Sequence, residues 1–429
     1  MDLPAIEGGT PIRDKKIFYG HQYIDDADCK AVMDVLKSDF LTCGPKIGEL
    51  EEKLCKVTGA KHAVVCSNDT AALHISCMAA GIGRYGSNPD GTGRTNISDT
   101  NGGSCGNSSS ETNPNGVDEV ITTPMTFAAS ANCALYCGAR PVFADIDPET
   151  YNIDPASIEA HITEHTKAVV AVDYTGQAVK LDEIKAICKK HNLVLIEDAA
   201  HAIGTKYKGQ AVGSIADMTT FSFHPVKTIT GGEGGAILTD NDEYYQKLLL
   251  YRSHGITHDA SLMNKEPDGP WYYQQIDLGY NYRMTDIQAA LLISQLDKLP
   301  SFSKRRKEIV AKYNEAFADN DAIFVQKEIP ESDTTRHLYI LRLIPEKLKI
   351  DRRQFFDALG AENIVCNVHY IPVYYFPYYQ KMGYKKGLCP NAEKLYDEEI
   401  TLPLFYAMTD EDVESVIKAV NRITEYYHV

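Results

Sequence analysis

Phe221-Ser-Phe-His-Pro-Val-Lys-Thr-Ile-Thr-Gly-Gly-Glu-Gly-Gly235 continues the apolar run Met218-Thr-Thr-Phe221 and leads into Ala236-Ile-Leu-Thr239. Two runs of strand character thus flank a polar, glycine-rich connection that carries a single lysine, Lys227. Comparable runs recur upstream at Ala63-Val-Val-Cys66, Glu119-Val-Ile-Thr122, Pro141-Val-Phe-Ala144, Ala168-Val-Val-Ala-Val172 and Leu193-Val-Leu-Ile196. Amphipathic segments such as Leu181-Asp-Glu-Ile-Lys-Ala-Ile-Cys-Lys-Lys190 lie between several of them. Strands that are apolar on both faces and alternate with helices predict an α/β fold, a mostly parallel sheet covered by helices. Sheets of this kind bind ligands beyond the carboxyl ends of their strands.

The rest of the chain sets the frame for that sheet. At 429 residues it exceeds one ordinary core. The reading is an N-terminal segment 1–24, a large domain 25–270, and linker helices with a smaller α+β domain over 271–429. In the last part, helical patterns at 302–317, 351–359 and 410–426 surround short strands near 337–341 and 364–369. The stretch 86–116 is rich in Gly, Asn, Ser and Thr and nearly free of large apolar groups. It reads as a mobile insertion, with a local binding role as the alternative. A hydrophobic content of 44% with 24% charged residues is that of a globular protein. The formal charge of -16 argues against binding a nucleic-acid backbone over the whole surface, so an anionic ligand needs a local site. No window reaches the roughly 18 apolar residues of a membrane helix. The opening MDLPAIEGGTPIRDKK lacks the apolar centre of a signal peptide, and eleven cysteines without a CxxC pair suit a reducing compartment. The expected location is the cytoplasm, with the sequons at Asn96 and Asn107 unused and no metal site.

Three groups near the quoted stretch share one chemistry. Lys227 lies five residues after the hydroxyl of Ser222 and 29 residues after Asp198, which closes the run Leu193-Val-Leu-Ile-Glu197. A lysine able to form a Schiff base, a hydroxyl for a phosphate and a carboxylate for a ring nitrogen are what pyridoxal 5'-phosphate requires. The passage from Ala63-Val-Val-Cys66 into Ser67-Asn-Asp-Thr-Ala-Ala-Leu-His74 is a strand running into a helix N-terminus, an anion site with Asp69 and Thr70 as contacts. An ordinary helix cap explains the same residues. Asp69 beside a phosphate is expected to give its backbone N–H while its carboxylate faces outwards. Ala199 and Ala200 leave room for a flat ring, His201 is placed for the phenolic oxygen, and Phe127 is a candidate to stack on the ring. Each also has a plain structural reading: a cap for Asp198, a satisfied histidine for His201 and core packing for Phe127.

At these residues the chain resembles the sugar aminotransferase family of fold-type I pyridoxal-phosphate enzymes. The likeness rests on Thr122-Thr-Pro-Met-Thr-Phe127, Gly138-Ala-Arg-Pro-Val-Phe143, Glu197-Asp-Ala-Ala-His-Ala-Ile-Gly204, Phe221-Ser-Phe-His-Pro-Val-Lys227 and Leu278-Gly-Tyr-Asn-Tyr-Arg283, and runs from about Tyr19 to the C-terminus. It implies a homodimer with shared active sites, in which Asn281 reaches the phosphate of the neighbouring subunit's cofactor. Phe-His-Pro-Val-Lys-Thr-Ile-Thr, with Tyr19-Gly-His-Gln22, Phe40-Leu-Thr42 and Val368-His-Tyr-Ile-Pro-Val-Tyr374, is most similar to the branch that works in pseudaminic-acid biosynthesis. That branch implies glutamate as amino donor and a UDP-linked 4-keto-6-deoxy sugar, UDP-2-acetamido-2,6-dideoxy-β-L-arabino-hex-4-ulose, as acceptor. It also implies that Tyr19, Phe40, Leu41, Thr42, His369 and Tyr370 line the sugar-nucleotide site; packing between domains is the alternative for each. The chain departs from the family at Asp69, where Ala or Gly is usual, and at Gly231, where a second Thr is common.

The expected reaction is a ping-pong transamination with Lys227 as nucleophile and proton carrier. Amination of another UDP-, TDP- or GDP-linked 4-keto sugar is the near alternative. A pyridoxal-phosphate-binding regulator without turnover is the more distant one, because a fold does not fix a function.

Overall fold

The fold is that of a computed structural model in which residues 2–83 and 116–429 are described. All of the expected insertion except Gly116 lies outside the described residues, as do Asn96 and Asn107. Seven strands form the central sheet: β1 (His62–Cys66), β2 (Glu119–Thr122), β3 (Arg140–Phe143), β4 (Thr166–Val172), β5 (Val194–Asp198), β6 (Met218–Ser222) and β7 (Gly235–Thr239). Their order is β1-β7-β6-β5-β4-β2-β3. Only β7 runs antiparallel to its neighbours, β1 and β6. The β6–β7 connection, residues 223–234, has no crossover helix, so the chain returns antiparallel. Lys227 sits in that connection, at the carboxyl edge of the parallel strands.

Both faces of the sheet are covered. Val65, Val169, Leu195, Phe221 and Leu238 point to one face and pack with α2 (Pro45–Thr58), α5 (Leu181–His191) and the first half of α7 (Asp286–Phe317). Val64, Val170, Ile196, Met218 and Ile237 point to the other, against α3 (Asp69–Ala79), α4 (Ala129–Tyr136) and α6 (Asp242–Arg252). The period-2 alternation sends neighbouring residues to opposite faces, and because both are buried the sequence reads as unbroken apolar runs. α1 (Asp26–Leu36) is tied to α7 by Lys298, whose ammonium meets the buried Asp28 carboxylate at 2.7 Å.

A second apolar cluster surrounds the three-stranded antiparallel sheet of β8 (Ile323–Val325), β9 (Tyr339–Leu343) and β10 (Glu399–Leu402). The helices α8 (Arg352–Ala361) and α9 (Asp410–Tyr427) pack on it. α7 joins the clusters: Leu292, Leu296, Leu299 and Phe302 belong to the first, Ile309, Val310, Tyr313 and Phe317 to the second. It begins at Asp286, well before the expected start at 302, and runs through Pro300. A proline inside a helix costs about 3 kcal/mol, but each large apolar side chain buried around it returns about 1.5–3 kcal/mol. Packing therefore overrides the local breaker.

The expected strand at 364–369 is shorter. Only Ile364–Val365 pairs, parallel to Ile17–Phe18. Beyond it Asn367 exchanges backbone hydrogen bonds with Thr401, at 2.8 and 3.2 Å, and the chain leaves extended pairing to carry His369 and Tyr370 towards the central sheet's carboxyl edge.

At that edge Gly235 lies against the start of α3. A Cβ at this position would stand 2.4 Å from the Asn68 carbonyl carbon and 2.7 Å from the Asp69 nitrogen, backbone atoms that cannot turn aside. Gly235→Ala should lower the unfolding free energy by about 1–3 kcal/mol, the range for an overpacked core. Urea unfolding of the cofactor-free protein measures this, and an unchanged midpoint would contradict the close approach.

Candidate active site

A cavity of about 750 Å³ opens at the carboxyl edge, within the usual size of small-molecule sites. Its lining includes ten of the residues singled out from sequence: Tyr19, Asp69, Thr70, Phe127, Asp198, His201, Ser222, Lys227, His369 and Tyr370. One end is the N-terminus of α3. Asn68 is the N-cap, and its side-chain oxygen accepts the Ala71 amide at 2.9 Å. Asp69 and Thr70, the first residues of the helix, line the cavity at the positive end of the helix dipole. Ser222, the last residue of β6, lines the same cavity.

Asp69 does not turn outwards as expected. It is 8% exposed, its Oδ1 is buried without a hydrogen-bond partner, and the Thr220 hydroxyl faces it without closing a hydrogen bond. The reason is positional: Asp69 is the first helical residue, and helix side chains lean back towards the N-terminus. With α3 pressed on Gly235, that direction leads onto the ends of β5 and β6. Burial, with the charge of Asp198 second, pushes the Asp69 carboxyl up to about 8.

Asp198 ends β5 and sits in register with Thr220 of β6. Its Oδ2 accepts the Ser130 hydroxyl at 2.6 Å and its Oδ1 accepts the Ala200 amide at 3.1 Å. Ser130 is held in turn by Thr126, 2.7 Å between hydroxyls. Burial raises the Asp198 pKa, while these two donors and Lys227 hold it down. Lys227, half-buried, is lowered to about 8 by burial, with Asp69 and Asp198 opposing that shift. A lysine tuned in this way presents a substantial fraction of free amine near neutral pH, which a nucleophile requires.

The opposite wall comes from the 366–372 segment and the N-terminal Tyr19. His201 Nε2 meets Tyr370 Oη at 3.2 Å, and its Nδ1 is buried without a partner. His369 Nδ1 meets the Thr401 hydroxyl at 2.8 Å, and its ring lies 5.2 Å from that of Tyr19. Burial first and Lys227 second hold His201 and His369 far below the usual imidazole range, so both rings are neutral. Phe127 is 64% exposed, with its ring 6.4 Å from Tyr370, so it is a wall of the cavity and not a core residue.

Phe40, Leu41, Thr42 and Asn281 are not among the lining residues. Phe40 and Leu41 are 52% and 48% exposed, and the strip is tied to the start of α7 by the Thr42–Thr285 bridge and the Asp286 amide on Leu41 O. Asn281 is exposed and bridged to Ser253. Gly231 has a steric reason to be glycine: a Cβ there would stand 2.9 Å from Glu233 O and 3.0 Å from Leu292. Ser130 and Thr220 escaped sequence reasoning.

These groups fit pyridoxal phosphate: a helix N-terminus for its phosphate, an anchored carboxylate for its ring nitrogen, and the orphaned His201 Nδ1 and Asp69 Oδ1 for its polar edge. Among the described residues, no helix is long and apolar enough to cross a membrane.

The DegT/DnrJ/EryC1/StrS aminotransferase family matches residues 22–88 and 110–421. The chain is 38% identical to the Bacillus subtilis spore coat polysaccharide biosynthesis protein SpsC, over 95% of this chain and 97% of the relative. It is also 38% identical to the UDP-4-amino-4,6-dideoxy-N-acetyl-beta-L-altrosamine transaminase of Campylobacter jejuni, over 93% and 95%. Among solved structures, PseC of Helicobacter pylori, an aminotransferase of pseudaminic-acid biosynthesis, superposes with a TM-score of 0.83 at 32% identity, covering 96% of this chain and all of that one. The PLP form of the Streptococcus pneumoniae sugar aminotransferase Spr1654 gives 0.82 at 31% identity, covering 96% and 99%. With the lysine, the carboxylate and the anion cradle already in place, the chain belongs to the DegT/DnrJ/EryC1/StrS family and is a pyridoxal-phosphate-dependent sugar aminotransferase.

Proposed function

We propose that the chain transfers the amino group of glutamate to C4 of a nucleotide-linked 4-keto-6-deoxy sugar. The acceptor in this reading is UDP-2-acetamido-2,6-dideoxy-β-L-arabino-hex-4-ulose, and the product feeds pseudaminic-acid synthesis in the cytoplasm. The observation that carries it is Lys227: a half-buried amine lowered to about 8, between Asp198 and a wall of Tyr19, His369 and Tyr370. The activities named for the Campylobacter and Helicobacter relatives support the sugar.

Bound in this cavity, pyridoxal phosphate supplies a carbonyl carbon for an incoming amine and an electron sink for the carbon that loses its proton. The chain's residues do the rest. Lys227 Nζ takes the proton from the donor's α-carbon and delivers it across the same face, then performs the converse transfer on the sugar carbon. Asp198, fixed by Ser130 and Ala200, keeps a negative charge against the ring nitrogen. The Asp69 and Thr70 amides and the Ser222 hydroxyl hold the phosphate. Phe127 would cover a face of the ring, and the neutral His201 would offer a hydrogen bond at the phenolic edge. Tyr19, His369 and Tyr370 hold the sugar, in a cavity with room for both substrates in turn.

Phe40, Leu41, Thr42 and Asn281 lie on exposed surface and belong, in this reading, to a homodimer in which each chain completes the other's site. A different 4-keto sugar is the second reading, because SpsC, named for another polysaccharide, is as similar as the Campylobacter enzyme. Incubating the purified protein with glutamate and UDP-, TDP- or GDP-linked 4-keto sugars, followed by mass spectrometry of the product, decides between them. Amination of the TDP or GDP sugar in preference to the UDP sugar would overturn the first.

Lys227→Ala should reduce turnover by at least about 10³-fold while leaving cofactor bound without a covalent link. Borohydride reduction and peptide mapping should label Lys227 in the wild type and nothing in the variant; labelling elsewhere would refute the assignment. Mixing Lys227→Ala and Asn281→Ala chains tests the shared site. Random pairing regenerates about a quarter of the sites if Asn281 acts across the dimer. No recovery of activity is expected if it acts within its own chain.

A further inference from the structure

The cofactor end of the cavity holds more negative charge than one lysine balances. Among the described lining residues Lys227 is the only lysine or arginine, and the buried histidines His201 and His369 are neutral. Against it stand Asp198 from β5 and Asp69 from α3. The other groups around Asp69 are the Thr220 hydroxyl of β6, the Cys66 thiol at the end of β1 and the amides of its own helix. None of these brings a formal positive charge.

The two carboxyls are not equivalent. Asp198 has a donor on each oxygen, Ser130 at 2.6 Å and the Ala200 amide at 3.1 Å. Asp69 has a buried Oδ1 without a closed hydrogen bond, and the one side-chain donor facing this carboxyl is the Thr220 hydroxyl. A buried carboxylate without donors is costly, whereas a buried carboxylic acid can itself donate. Loading the site sharpens the difference. A phosphate dianion would arrive at the end of the helix where Asp69 stands.

We propose that Asp69 is a cofactor-positioning residue that works as a carboxylic acid: its O–H donates to the bound cofactor, and loading the site places a proton on this side chain. The inference rests on the cofactor site described above. In the free protein Asp69 is pushed up to about 8, by burial and then by Asp198. Well below that pH the acid form is already present and loading takes up little on this group. Above it the carboxylate must be protonated on loading, so cofactor affinity falls as pH rises. A single group of this kind makes the affinity fall about tenfold per pH unit there.

Calorimetric titration of the apoenzyme with pyridoxamine phosphate, which needs no covalent link to Lys227, gives the proton uptake when repeated at pH 9 in buffers of different ionisation heat. The wild type should take up about one proton more than Asp69→Asn, and its uptake should shrink towards pH 6.5. The Asn variant keeps a donor, so its affinity at pH 9 should equal or exceed the wild type's, whereas Asp69→Ala should bind more weakly. In the wild type alone, loading at pH 9 should add the infrared carbonyl band of a protonated carboxyl, which needs no variant to fold. Equal uptake in wild type and Asp69→Asn, or no new carbonyl band, would overturn the role of Asp69. Failure of the folded wild type to bind pyridoxamine phosphate would instead overturn the cofactor site.

Discussion

Charge at the carboxyl edge of the sheet is the constraint on which the site depends. One half-buried lysine faces two buried carboxyls, and each group's protonation is influenced by the others. Burial alone would neutralise all three. Donors make the choice among them: Ser130 and the Ala200 amide favour the charged form of Asp198, and nothing comparable serves Asp69. Lys227, Asp198 and Asp69 are thus one electrostatic unit, and the sheet holds its members in register.

That register is supplied by ordinary backbone geometry. Asp198 and Thr220 are paired across β5 and β6, Gly235 pairs with both Ser222 and Cys66, and the absent side chain of Gly235 lets α3 meet the sheet. Moving β5 by one residue would turn Asp198 to the opposite face. Precision at the lysine comes from hydrogen-bond ladders on either side of it, although its own connection contains no helix or strand.

Much of this was legible in the chain. The strand at Glu119–Thr122 and the helices at Leu181–His191 and Asp410–Tyr427 begin where the pattern places them, because apolar periodicity survives wherever a face is buried. Lys227, Ser222 and Asp198 stand out in the sequence because their chemistry is rare in combination, and all three line one cavity. What was not legible depends on contacts distant in sequence. The side-chain direction of Asp69 is decided by Gly235, 166 positions away, and the helix through Pro300 by leucines packed on the sheet. Ser130 supports Asp198 from 68 positions away, a partnership that no local pattern encodes. Phe40, Leu41, Thr42 and Asn281, named from the likeness of motifs, stand apart from the cavity because they lie on exposed surface.

The helix Asp286–Phe317 has a thermodynamic consequence. It is about 48 Å long at 1.5 Å per residue, and it donates apolar side chains to both clusters. Each cluster has its own sheet, yet neither can come apart without stripping partners from a helix that the other needs. Their stabilities are therefore coupled through one element, and a core substitution in the C-terminal cluster loosens the framework around Lys227 without touching it.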